Sequence, residues 1–118
     1  TSAKGPAEVA DVKVDKATGP EARTISEIYA QKATLKEKGV LIRGKVVKFN
    51  PAVMGKNWLH LRDGSGSPAA GDHDLTVTTL DAAMVGDIVL VTGVLKLFKD
   101  FGSGYTYPII VEDAKVSK

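Results

Sequence analysis

Apolar and polar positions alternate with a period of two along Val40-Leu41-Ile42-Arg43-Gly44-Lys45-Val46-Val47. This is the signature of a strand with one buried face. Val40, Ile42, Gly44 and Val46 share one side; Leu41, Arg43, Lys45 and Val47 share the other. The pattern predicts a first strand over about 40–49, with Gly44 implying a bend or bulge. Pro51 and Gly55 mark 50–56 as a loop. A second strand over about 57–63 puts Leu59 and Leu61 inward and Trp58, His60 and Arg62 outward, and ends in the turn Asp63-Gly64-Ser65-Gly66. After an excursion over 67–72, a third strand over about 74–79 turns Leu75 and Val77 in and Thr76 and Thr78 out. A short connection leads to a fourth strand, about 87–98, rich in Val and Leu and interrupted by Gly93. A glycine-rich hairpin loop over 99–104 leads to a fifth strand, about 105–116, where Pro108 marks an edge.

Upstream the period changes. Thr24-Ile25-Ser26-Glu27 is a capping box, and Ile25, Ile28, Tyr29 and Leu35 make a helix-spaced apolar stripe. A helix is expected over about 25–32, plugging one end of the sheet, with Tyr29 in the core. Residues 1–23 form a polar arm punctuated by Gly5-Pro6 and Gly19-Pro20. Within it, Ala10, Val12 and Val14 alternate with Asp11 and Lys13. Three fates are open to this arm: disorder, which is the default, packing on its own sheet, or addition as a strand to a neighbouring copy.

At 118 residues the chain is expected to hold one folded domain, over 24–118, with a modest core. Interior glycines in the first and fourth strands, with five short strands, predict an all-β fold closed as a small barrel. No apolar run approaches the roughly 18 residues that span a bilayer. The absence of cysteine excludes disulfides, thiolate chemistry and cysteine zinc sites. A net charge of +2 is low for a non-specific DNA coat, but its distribution is uneven. From Gly39 to Arg62 lie Arg43, Lys45, Lys48, Lys56 and Arg62 with no acid between them. The plain alternative is an ordinary solvated surface. Thr1 in place of an initiator Met is expected of a processed or trimmed chain.

Leu41-Ile42-Arg43-Gly44-Lys45-Val46 followed by Leu59-His60-Leu61-Arg62-Asp63-Gly64-Ser65-Gly66 resembles the first two strands of oligonucleotide-binding (OB) barrels. The Leu-Arg-Asp-Gly-Ser-Gly ending is similar to the anticodon-binding barrels of class II aminoacyl-tRNA synthetases. Gly55-Lys56-Asn57-Trp58, Asp74 to Thr79, Val85-Gly86-Asp87, Lys99 to Tyr105 and Tyr107-Pro108 extend the likeness. Together they resemble small exported bacterial OB-fold proteins labelled as DNA- or nucleotide-binding. The resemblance covers about 24–116 and implies a five-stranded OB barrel and a periplasmic or extracellular location. One departure is the helix, which in such barrels commonly lies between the third and fourth strands and here precedes the first.

OB barrels bind on the outer face of strands one to three, flanked by the loops between strands one and two and strands four and five. Here that face is Arg43, Lys45, Trp58, His60, Arg62, Thr76 and Thr78. The loops supply Lys48, Phe49 and Lys56 on one side and Lys99, Phe101 and Tyr105 on the other. Cations would neutralise phosphates, making affinity salt-dependent. Trp58, assisted by Phe49 or Phe101, would stack unpaired bases. The expected partner is nucleic acid, single-stranded DNA first, with multiple copies linked through the arm. A structural alternative for Trp58 is that it covers the barrel mouth or packs under 67–72. Asp72-His73-Asp74 reads as a solvated turn, with no metal site expected. Neither a Gly-x-Ser-x-Gly elbow nor a phosphate loop is present, so no catalytic residues and no cofactor are expected. The rival readings are a protein-interaction or self-assembly module and an oligosaccharide-binding barrel.

Overall fold

A computed structural model describes residues 12–102 and 104–118. Two short helices, α1 (Ile25–Ala30) and α2 (Lys32–Leu35), precede five strands: β1 (Gly39–Val53), β2 (Lys56–Arg62), β3 (Leu75–Thr79), β4 (Ile88–Asp100) and β5 (Thr106–Ser117). The fold is mainly β. The strands hydrogen-bond in the order β1-β2-β3-β5-β4, and β4 returns to β1 so that the sheet closes in a ring. Every pairing is antiparallel except β3 with β5.

β1 is the strand that makes closure possible. Its first half, Gly39 to Lys45, pairs with β4, and its second half, from Lys45 onward, pairs with β2. Lys45 has partners on both sides, Arg62 and Ile88. The register with β2 slips between Val46 and Lys48, and this bulge sharpens the bend. A second slip, between Thr92 and Val94 on β4, falls at Gly93. A Cβ on Gly93 would stand 2.6 Å from Val111 Cγ1 and 2.9 Å from the Glu112 carbonyl oxygen. Only glycine lets β4 and β5 approach that closely.

The predicted 50–56 loop is instead strand and turn. β1 continues to Val53 and turns through Met54 and Gly55, both at positive φ, the backbone that suits a two-residue hairpin. Pro51 is accommodated because it lies in the register slip between Asn50 and Val53, where no ladder bond is required of it. β4 likewise runs two residues beyond expectation, to Asp100, so Lys99 is a strand residue.

Ile25, Ile28 and Leu35 join Val40, Ile42, Val46, Leu59, Leu61, Leu75, Val77, Val89, Val91, Leu95 and Val111 in one core. The expected helix over 25–32 is divided at Gln31, which ends α1 and begins α2. The capping box is formed: the Glu27 N–H donates to Thr24 Oγ1 and the Thr24 N–H to Glu27 Oε1. Asp63 adds to it, accepting the Ile25 N–H at 2.9 Å from the end of β2. Tyr29 packs against the core and donates its hydroxyl to the Asp74 carbonyl at 2.6 Å.

Residues 12–23 lie on their own sheet, so the default of disorder does not hold for them. Val12, Ala17 and Ala22 are buried. The Val14 N–H donates to the Asp63 carbonyl, and Leu41 exchanges backbone bonds with Glu21 and Arg23. A Cβ on Gly64 would run into the Val12 carbonyl oxygen, so the glycine admits this segment. Val12 and Val14 are thus occupied within their own chain rather than presented to a neighbour. Ala10 and Asp11, the rest of the expected arm strand, lie outside the described residues.

Candidate functional site

Eleven of the twelve residues of the expected binding face fall into four groups, and Arg43 stands apart. Lys45, Lys48, His60 and Arg62 line one depression of about 560 Å³ with Val12, Asp74 and Val85. Trp58, Tyr105 and His60 line a smaller one, about 240 Å³, with Asn50, Val53, Met54 and Tyr107. His60 belongs to both, so the two depressions adjoin at that side chain. Lys56, Lys99 and Phe101 gather beside Trp58 in a third group. Thr76 and Thr78 form the fourth, and both are buried.

The burial of Thr76 and Thr78 corrects their expected role as contact residues. They do alternate with the core positions Leu75 and Val77. β3, however, is flanked by β2 through Trp58↔Thr78 and by β5 through Val77↔Val111. Short hydroxyl side chains there lie below the level of their larger neighbours. Arg43, two residues before Lys45 on β1, lines neither depression. It pairs across to Leu90 on β4 and donates to the Asp15 and Lys16 carbonyls of the N-terminal segment.

Trp58 points outward as expected, yet it is only 5% exposed. Phe101 meets it edge-on at 5.1 Å between ring centroids, and Tyr107 lies tilted at 5.3 Å. Its indole N–H donates to the Val53 carbonyl at 2.9 Å, holding the β1–β2 hairpin against the ring. It is therefore not an open stacking platform; its cover comes from the β4–β5 hairpin rather than from 67–72. Tyr107, noted by sequence only within the OB-barrel resemblance, was not among the expected contact residues, although its place beside Pro108 and a glycine-rich turn could have marked it.

Most of the expected cations are already paired. Asp74 receives Arg62 Nε at 2.8 Å on one oxygen, and His60 Nδ1 lies 2.9 Å from the other. Burial by itself would raise the Asp74 carboxyl. The hydrogen bonds and charges of His60 and Arg62 outweigh it and hold the group below its ordinary value of 3.8. Asp72-His73-Asp74 is thus no solvated turn: Asp74 anchors the cations of β2. Tyr29 is pushed up by burial and by the nearby charges of Asp74 and Asp72.

Glu112 is the second hidden acid. It is 3% exposed and lies 3.6 Å from Lys56 and 3.4 Å from Lys99. The two ammonium groups also stand 5.9 and 5.6 Å from the Phe101 ring centroid, within reach of its negative face. The sequence signal was an acid set into the apolar run Ile109-Ile110-Val111. Among the described residues, Lys45 and Lys48 have no acidic partner. No three His, Asp or Glu side chains of those residues stand together as metal ligands would, and none of their helices is long and apolar enough to cross a membrane.

Comparison with protein-family models and with curated proteins finds no match to this chain.

Proposed function

We propose that this chain is an OB-type barrel that binds single-stranded nucleic acid, DNA in the first instance, with little sequence preference. The observation that carries the reading is that the two depressions adjoin at His60. One is lined by Val53, Met54, Tyr105 and the rims of Trp58 and Tyr107, and can take the flat face of a base. The other presents Lys45 and Lys48 without acidic partners among the described residues, and can take the phosphates that follow. An apolar half beside a cationic half is what an unpaired strand requires. The closed ring of five strands, and the resemblance of β1 and β2 to OB barrels, support the same reading.

Because Arg62, His60, Lys56 and Lys99 already face acids, few charges remain to neutralise phosphates, and affinity per molecule is modest. The test is fluorescence anisotropy with a labelled single strand of about twenty nucleotides, over a range of salt, for wild type and Lys45→Ala/Lys48→Ala. Binding that weakens with salt, and that is weaker and less salt-dependent in the double variant, is the expected result. No binding at low salt would overturn the reading.

One observation favours a protein-contact role instead. Leu80, Met84, Val85 and Ile88, all on or beside the β3–β4 connection, are exposed. Sedimentation at increasing concentration, with Met84→Asp as comparison, separates self-association through this stretch from strand binding.

A further inference from the structure

Trp58 carries an edge-on aromatic partner from its own chain, and that partner has the attributes of a stand-in. Phe101 sits 5.1 Å from the indole, and Lys56 and Lys99 flank its ring within 6 Å. Those two lysines outnumber the one carboxylate, Glu112, that they share. An aromatic ring against the tryptophan, with a surplus positive charge beside it, fills the place that a base stacked on the indole and its phosphate would need.

We propose that Phe101 occupies in cis a second base-stacking subsite on Trp58, which an unpaired nucleotide claims by displacing it. The inference rests on the single-strand reading above and adds a subsite closed in the ligand-free chain. Base stacking replaces Phe101 on the indole, and the phosphate meets the one positive charge that Lys56 and Lys99 hold in excess of Glu112.

Two features show that the closed arrangement is not fully satisfied. Thr78 Oγ1 is buried with no hydrogen-bond partner among the described residues, and Glu112 Oε2 has only the Lys56 ammonium at 3.6 Å, beyond hydrogen-bond distance. Buried polar atoms without partners favour any rearrangement that readmits water or a ligand donor. Phe98, three residues before Phe101, holds φ at 52° with its side chain exposed. A bulky residue in the left-handed region marks stored backbone strain at the point where β4 turns towards Trp58. Movement of Phe101 requires no disruption of the core, of which it is not a member.

Trp58 is the only tryptophan in the chain, so emission reports on the surroundings of this one ring, and the affinity of a Phe101 variant separates the subsite from the outer groove. The experiment follows an unlabelled thymidylate oligomer by Trp58 emission and a labelled one by anisotropy, in wild type and Phe101→Ala. Displacement predicts that saturating oligomer quenches Trp58 in wild type. It also predicts that Phe101→Ala binds about tenfold tighter, since the variant no longer competes for the indole. Anisotropy showing equal affinity for both proteins, with Trp58 emission unchanged, overturns the subsite and leaves the outer groove standing. Anisotropy showing no binding by either overturns the single-strand reading and the subsite with it. Should Phe101→Ala fold poorly, Phe101→Leu takes its place: tighter binding than wild type supports displacement, and equal affinity refutes it.

Discussion

Arg62 donates its Nε–H to Asp74 across 2.8 Å, tying the end of β2 to the residue that introduces β3. The same carboxylate faces His60, and through its backbone carbonyl Asp74 also receives Tyr29 from α1. One residue therefore joins two strands and a helix.

That junction has a pH signature. A carboxyl whose folded value lies below its unfolded value contributes stability that is fully present above the unfolded value and is lost as pH falls through the folded one. Asp74 is lowered from 3.8, so its contribution should disappear below about pH 4. Asp74→Asn should cost about 1–3 kcal/mol at neutral pH and flatten the acid limb. Urea unfolding at pH 7 and pH 3 checks both; a variant with the wild-type loss between these values would contradict the assignment.

Glu112 and its lysines should respond asymmetrically. Lys56 and Lys99 are part exposed, whereas Glu112 is buried. Removing the acid, as in Glu112→Gln, lets both ammonium groups turn to water and should cost less than about 1 kcal/mol. Removing both lysines strands a buried charge and should cost about 3 kcal/mol. Chemical denaturation of the two variants tests the order, and equal losses would mean that the carboxylate is solvated.

Gly64 should be intolerant of a side chain. Its φ is 89° and a Cβ would meet the Val12 carbonyl. Gly64→Ala should destabilise by about 1–3 kcal/mol and loosen residues 12–23 from the sheet. Limited proteolysis should then cut this segment faster than in wild type. Equal protection would show that the segment is held elsewhere.

Lys45 and Lys48 should carry phosphate contacts that Arg43 does not. Their joint replacement by Ala should reduce the slope of log affinity against log salt by about 1.4, the value for two phosphates on a single strand. Arg43→Ala, on the β4 side and engaged by the N-terminal segment, should leave the slope unchanged. Equal effects would place the strand across β1 rather than along its β2 half.

Strand periodicity was legible because burial on one face repeats every second residue. Val40-Ile42, Leu59-Leu61 and Leu75-Val77 all reached the core that their alternation implied. The capping box at Thr24 was equally local, since its partners lie three residues apart. The hairpin through Met54 and Gly55 was not: Pro51 reads as a strand breaker until the bulge that accommodates it is known.

The binding face divides along the same line. Alternation correctly put Trp58, His60 and Arg62 outside the core, because the side of a strand is a property of neighbouring residues. Whether an outward side chain is open depends on what arrives from far along the chain. Phe101 and Tyr107 reach Trp58 across more than forty residues, and Glu112 reaches Lys56 across more than fifty. The amino-acid sequence by itself determined the strands, their inward faces and the supply of cations. Only the tertiary structure decided which cations meet an acid and which aromatic ring is covered, because charge pairing and burial are set by distances in space that closure of the sheet creates.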